Sequence, residues 1–341
     1  MTTARSFQNQ FEMTDYTDVL VTVPNTWGLV NSLNIFENEG VTQRNITVEL
    51  QDQSLAVIPD TPVGVRNNVN RDDNRKMAAF MLTHHTLDDV VKPEDLQGRR
   101  AYGSADAVEI EANVLNRRMN RIRKNHAVTL EAARCYTLTT GLQYSPGGTV
   151  TQNFYSTFGI TRKEVDFVFG TPTTEINEKS EEIISSIQDE AKTGDMVGGI
   201  TALCSPTFFA KLIKHAKVVQ AYNTYQSLQE PLRQRLGGAD TKFRTFSHGG
   251  VKFIEYRGSF NGVPLIPVGD AYFFPTEGVE GMFNTYFGPA NKLSLVNTIG
   301  EEAYMWSYRA PDDSGILIQT ESNFLNLLRK PQMICRGFSS N

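Results

Sequence analysis

The sequence predicts an α+β fold, and three observations carry that prediction. Ile46, Val48 and Leu50 alternate with Thr47, Glu49 and Gln51, the period of a half-exposed strand. The run from Ser104 to Thr140 contains neither glycine nor proline and repeats its apolar positions every three or four residues, as a helix does. Beyond it, strand-like and helix-like segments follow one another without the regular βαβ rhythm of a doubly wound sheet. At 341 residues, with 40% hydrophobic and 21% charged residues, the chain has a globular composition and room for about two domains.

Lys plus Arg is 33 and Asp plus Glu 38, a formal net charge of −5. That balance argues against a protein held to nucleic acid chiefly by phosphate neutralisation, although a local basic patch stays open. Cys135, Cys204 and Cys335 are too scattered for a zinc ribbon or a CxxC redox site and read as reduced thiols. Residues 1–10 lack a signal pattern, and the apolar stretch Val19–Phe36 is broken by Pro24, Asn25, Asn31, Ser32 and Asn34, too polar for a membrane span. A soluble intracellular product is expected, and the sequon at Asn45 then has no meaning.

Taken in order, residues 1–40 do not make a compact unit. Val19, Val21 and Val23 form a strand stopped by Pro24, yet Trp27, Leu29, Val30, Leu33, Ile35 and Phe36 are too apolar for a free tail. Residues 1–60 carry Arg5 and Arg44 against eight acidic residues. Such an arm must pack on the rest of the chain or on a neighbouring subunit. Residues 42–84 read as a hairpin: strand Ile46–Leu50, a long polar turn from Thr61 to Arg75, and a return strand Lys76–Thr83. A two-stranded ribbon is marginal in water and needs support.

The helix at about 104–140 has Ser104 as its N-cap and Asp106 in its first turn. Its stripe is Val108, Ala112, Leu115, Met119, Ile122, His126, Leu130 and Ala133, with a break conceivable near His126 and a stop at Gly141. Ser145–Gly148 is a boundary turn. Then come a strand region at 159–169, a helix at 178–193, a strand at 200–204, and a helix opened by Ser205-Pro206 and running past Ile213 to Ala216. Strands at 243–256, 263–268, 316–320 and 325–328 complete the reading.

Signatures for phosphate loops, dinucleotide sites, zinc proteases and serine hydrolases are absent from the sequence. His84 and His85 are adjacent and would point to opposite faces of a strand. His126 lies on the helix stripe, where a packing role is expected. The acidic pairs Asp88-Asp89, Glu301-Glu302 and Asp312-Asp313 read as solvated turns. No catalytic, cofactor-binding or metal-binding residue is expected. The basic run Arg117, Arg118, Arg121, Arg123 and Lys124 has three readings: a nucleic-acid contact, a contact with an acidic protein, or a solvated helix face.

Six stretches, in order, resemble the lambda-type (E-type) major capsid proteins of tailed bacteriophages. They are Thr26–Asn31 with Phe36 and Glu39–Val41; Leu87–Val91 with Gln97–Gly103; Ala202–Phe209 with Lys211, Leu212 and His215; Phe253–Gly258; Phe274-Pro275 through Phe283, Gly288–Ala290 and Val296–Gly300; and Gln319, Ser322-Asn323 and Pro331. The likeness covers about residues 19–335. Two departures stand out: Phe324 where members usually carry proline, and Thr83-His84 where Val-Pro is common.

The resemblance implies the Hong Kong 97-type capsid fold. Its expected parts are an N-terminal arm (1–41), an extended loop or E-loop (42–86), a peripheral domain with a long spine helix (87–144), an axial domain (145–290) and a C-terminal segment (291–341) returning to both domains. The function implied is that of a non-enzymatic shell protein that assembles into the icosahedral head of a tailed phage and encloses double-stranded DNA.

The partners implied are hexamers and pentamers of the chain itself, a separate scaffolding protein because no long helical leader precedes the arm, a portal, a decoration protein on some shells, and DNA on the inner face without sequence specificity. No cofactor or membrane is implied. The expected location is the virion capsid, and the host cytoplasm during assembly. Candidate inter-subunit contacts are Trp27, Phe36, Ile46 and Val48 as anchors and Arg117 and Arg121 as charged contacts. Deletion of 1–41 is expected to leave a soluble subunit unable to form shells. Lys76 is a minor candidate for a covalent cross-link. The competing readings are an encapsulin-like cellular compartment shell and an enzyme with a nonstandard site.

Overall fold

The computed structural model describes residues 14–15, 28–51, 75–96, 111–148, 152–191, 197–225, 243–260, 262–279 and 281–341. The chain opens with β1 (Thr14–Asp15), a short helix α1 (Leu29–Leu33) and β2 (Glu37–Gly40). A ribbon of β3 (Asn45–Gln51) and β4 (Arg75–Met81) follows, then β5 (Thr83–Val91), the long helix α2 (Glu111–Thr140) and α3 (Phe154–Phe158). Next come β6 (Glu164–Asp166), α4 (Ile176–Asp189), β7 (Ile200–Cys204), α5 (Pro206–Lys214) and α6 (Ala216–Tyr225). The rest is strand: β8 (Thr245–His248), β9 (Val251–Glu255), β10 (Ser259–Phe260), β11 (Val263–Pro264), β12 (Ala271–Pro275), β13 (Phe283–Phe287), β14 (Tyr304–Arg309), β15 (Ile316–Leu328) and β16 (Cys335–Phe338).

Two six-stranded sheets organise these elements. The first has the order β1-β14-β15-β13-β2, with β5 also paired to β15. The second runs β6-β16-β12-β7-β9-β8. Strands covered on both faces are buried at every position rather than at alternate ones. That is what β7, β12 and β13 show, each buried along its whole length. The second sheet holds an aromatic core in which Phe167 stacks on Phe273 at 5.8 Å and Phe169 meets Phe208 edge-on at 4.9 Å.

Helix α2 is 30 residues, about 45 Å at 1.5 Å per residue, and packs on β5 and β15 of the first sheet. It is unbroken at His126, and Thr129 one turn after Asn125 donates its hydroxyl to the Asn125 carbonyl at 2.8 Å. The predicted cap Ser104 lies outside the described residues. Ala112 of the predicted stripe is exposed, and Val114 takes the buried place.

Several other expectations change in detail. The helix begun at Ser205, whose hydroxyl accepts the Phe208 amide, ends at Lys214; His215 adopts an extended backbone, and α6 begins anew. The expected strand 243–256 is a hairpin, since Gly249 and Gly250 supply left-handed turn positions at φ 54° and 75°. The two expected strands 316–320 and 325–328 are one, β15, held by β5 along most of its length. The expected strand 263–268 is confined to Val263–Pro264. The segment placed at 145–290 contributes β13 to the first sheet, while β16 near the C-terminus joins the second.

The two departures from the capsid pattern face one another. Thr83 pairs with Phe324, and its hydroxyl donates to the Phe324 carbonyl at 2.9 Å. His84 Nδ1 lies 2.6 Å from Asn323 Oδ1, and the His85 ring stacks on Phe324 at 4.7 Å. Proline has no amide for a ladder. With proline absent from both strands here, the β5–β15 ladder reaches Thr83–Phe324 as its last pair.

Candidate assembly interface

The arm, the ribbon and α2 meet at the junction of the two sheets, and a buried carboxylate organises the meeting. Glu131 on α2 is fully buried. Its Oε1 accepts from the Val30 amide at 2.9 Å and the Tyr256 hydroxyl at 2.6 Å, and its Oε2 accepts from the Asn31 amide at 2.8 Å. These donors satisfy a charge that would otherwise be very costly inside the protein. Burial pushes the Glu131 carboxyl above its usual range, with the tyrosine, the two amides and Arg134 pulling it back.

One turn on, Arg134 donates to Asn31 Oδ1 at 2.8 Å, Asn38 Oδ1 at 2.6 Å and Thr285 Oγ1 at 3.0 Å. Its guanidinium also lies over the Phe36 ring at 5.0 Å. Burial lowers its pKa to about 10, with Glu302 and Glu131 opposing the shift. The pair thereby clasps α1 and β2 of the arm, α2, β13 of the first sheet, and Tyr256 just beyond β9 of the second.

This clasp fixes the fate of the predicted anchors. Trp27 lies outside the described residues. Phe36 is only 2% exposed and packs on Phe283 at 5.2 Å, so its ring has no surface left for a neighbouring subunit. Residues 28–41 accordingly spend their apolar side chains inside their own chain. Removing 1–41 would strip Leu29, Val30 and Phe36 from the core and orphan Glu131, so the expectation of a soluble truncated subunit is corrected. A deletion stopping before Gly28 spares these contacts.

Ile46 and Val48 sit opposite Phe80 and Ala78 on one face of the ribbon, half-buried against the same core. Phe80 closes that face on Phe154 at 5.3 Å and Phe158 at 6.0 Å. The β4 edge is tied down where Gln143 Nε2 donates to the Met81 carbonyl at 2.7 Å and Gln152 Nε2 to the Ala79 carbonyl at 3.2 Å. The opposite face shows Met77 at 68% and Met81 at 45% exposure. Alternation along Met77–Met81 is the signal that separates the two faces. The side chain of Lys76 lies outside the described residues.

Arg117 and Arg121 are exposed on α2, as is Lys124, whereas Arg118 turns inward to Asp89 and Asp95. The basic run is thus divided, with one member structural. Asp89 is half-buried in strand β5 and not in the expected solvated turn. Among the described residues no group of three or more His, Cys, Asp or Glu could hold a metal ion, and no helix is long and apolar enough to cross a membrane. The clasp itself was missed in the sequence. Its one signal is a Glu and an Arg three residues apart in a helical stretch otherwise free of charge from Leu130 to Thr140.

The family described as Phage major capsid protein E matches residues 12–339. The major capsid protein of Pseudomonas phage KPP10 is 44% identical, over 97% of this chain and 98% of its own. The chain belongs to the phage major capsid protein E family.

The major capsid protein of Salmonella phage Felix O1 (isolate Felix O1-VT1) is 28% identical over 96% of both chains. Solved structures show the same fold at low identity. A phage-related protein from Bordetella bronchiseptica RB50 is 10% identical with a TM-score of 0.53, covering 95% of this chain and 96% of its own. The cyanophage P-SCSP1u capsid is 8% identical at 0.51, covering 90% and 87%. The capsid of Myoviridae phage XM1 is 7% identical at 0.51, covering 89% and 88%. The fold is of the Hong Kong 97 type, and the chain is a capsid shell protein, not an enzyme. Family membership decides against the cellular-compartment and enzyme readings.

Proposed function

We propose that this capsid protein closes the phage head as hexamers and pentamers, assembled in the host cytoplasm on a separate scaffolding protein and around a portal. The first sheet with α2 acts as the peripheral domain and the second sheet as the axial domain. The observation that carries this reading is the ribbon β3–β4: one face is half-covered by its own core, and the other offers Met77 and Met81 to solvent. Two strands with one supported face gain burial when a neighbour covers the other. Ile46 and Val48 steady the ribbon from beneath, and the methionines make the outward contact.

The exposed guanidinium groups of Arg117 and Arg121 supply the charged contact, either to the acidic residues of a neighbour or scaffold or to the phosphates of packaged DNA without sequence preference. A decoration protein belongs on the outer face. Obligate assemblies of this kind bury thousands of Å2 per subunit by shared contacts, so no single one need be strong.

The test is assembly of the full chain co-expressed with its candidate scaffold, followed by sedimentation and negative-stain microscopy. Closed shells are expected, and the Arg117→Ala, Arg121→Ala double variant should lower their yield and weaken the salt dependence of assembly. Only small soluble oligomers from the wild-type chain would overturn the reading; unchanged salt dependence in the double variant would remove the arginines from it.

A further inference from the structure

We infer that the loop 291–299, between β13 and β14, is a contact between copies of this chain, in which Leu293, Val296 and Ile299 of one subunit meet the same loop of another. The inference rests on the shell reading above and adds a surface remote from the ribbon.

Exposure is the first observation. Leu293 is 96%, Ile299 67% and Val296 60% exposed, although the loop lies beside a well-packed sheet. Together they offer on the order of 300 Å2 of apolar surface, which falls in the range of the largest apolar patch on a typical monomer, a patch that is often functional.

The loop is also built to hold that display. The Asn291 amide donates to Glu321 Oε1 at 2.8 Å, the Leu295 amide to the Lys292 carbonyl at 3.0 Å, and the Thr298 hydroxyl to the Leu295 carbonyl at 2.8 Å. The Gly300 amide donates to the Val41 carbonyl at 3.0 Å. Leu295 turns inward onto Ala290, Tyr304 and Trp306, so the chain has an apolar seat for one side chain and leaves the other three outside. A loop already fixed in place loses little conformational entropy when a partner covers it.

Charge selects the occupant. Between Asn291 and Gly300 the only ionic residue is Lys292. Its ammonium is engaged over the Trp306 ring at 4.9 Å and by Gln319 Oε1 at 3.0 Å, drawn back from the apolar side chains. A contact between identical surfaces brings like residues together, so any free charge would face its own copy. A neutral apolar loop suits such a contact. It offers nothing by which a charged partner such as nucleic acid would recognise it. Two such patches fall well short of the roughly 1,200 Å2 that a stable stand-alone interface buries, so the contact forms only where other contacts already hold the copies together.

The experiment compares full-length wild type with a Leu293→Glu, Val296→Glu double variant under conditions in which the wild type forms shells. Shell yield should fall at least tenfold, with the thermal unfolding of the soluble subunit unchanged. As a folding-neutral second probe, Leu293→Cys treated with a short bismaleimide should give covalent dimers in assembled shells, whereas a cysteine at exposed Asp189 on α4 should stay monomeric. Wild-type yield from the glutamate variant overturns the inference. So does loss of assembly without Leu293→Cys dimers, which would place the loop against a different surface. A wild-type chain that never assembles sinks the shell reading itself, and is recognised because it requires no substitution.

Discussion

The two ends of helix α2 are made of the same backbone and do opposite things. From Glu111 to Thr129 only Val114 and Ile122 are buried, and the face away from the sheet carries Arg117, Arg121 and Lys124. From Leu130 to Thr139 every residue but Tyr136 is buried, including Glu131 and Arg134. The first end is an amphipathic helix lying on a sheet. The second is a buried rod whose charged groups, Glu131 and Arg134, are met by partners inside the protein. An assembling subunit can use both: a rigid end that fixes the geometry of its parts, and a wet end that carries charge on its surface.

Substitution at the buried end should have the largest effect. Glu131→Ala relieves a buried charge but strands two amides and a tyrosine hydroxyl. It should destabilise the subunit by about 4 kcal/mol in denaturant unfolding. A loss under about 1 kcal/mol would mean the clasp is incidental and the two ends do not differ as described.

The middle of the helix should respond to acid. Burial lowers His126 to about 4, with the neighbouring His85 adding to the effect; His85 is itself lowered to about 4 by burial and by His84. Unfolded, each imidazole takes up its proton near the ordinary value of 6.5. As pH falls below 6.5 the unfolded state is therefore protonated first. Stability is complete above that value and is lost down to about pH 4, by on the order of 3 kcal/mol for each imidazole taken singly. His126→Gln, which keeps a polar partner for Thr320, should flatten the stability profile between pH 6.5 and 4. An unchanged slope would assign the acid response elsewhere.

The smallest effect sharpens the contrast most directly. Ala133→Leu forces extra volume into a site with no exposure and should cost about 2 kcal/mol. The same change at exposed Ala112 should stay within about 0.5 kcal/mol of wild type. Equal effects in a paired thermal-unfolding measurement would erase the distinction between the ends.

Sequence patterns reached some of this and not the rest, for reasons that lie in particular residues. The ribbon was legible because Ile46 and Val48 alternate with polar neighbours, as a strand with one wet face must. The start of α5 was legible because Ser205-Pro206 is both a cap and a first-turn residue. Strands β12, β13 and β14 escaped notice: Ala271–Pro275 and Phe283–Phe287 are covered on both sides, so nothing in them alternates. The arm was ambiguous because apolar residues report that burial is needed but not which molecule supplies it. Glu131 was invisible for a related reason. A carboxylate looks the same in a sequence whether it faces water or three buried donors, and only the approach of α1 and Tyr256 distinguishes the two.

Gly28 precedes α1 at φ 90°, and a Cβ built there would fall inside the Glu131 side chain. A single nucleotide change at this codon therefore meets two obstacles, an awkward backbone angle and an occupied space. Shortening residue 131 would clear the space yet leave the angle, and would forfeit the clasp as well. Packing alone, with no reactant involved, therefore ties the identity of residue 28 to that of residue 131.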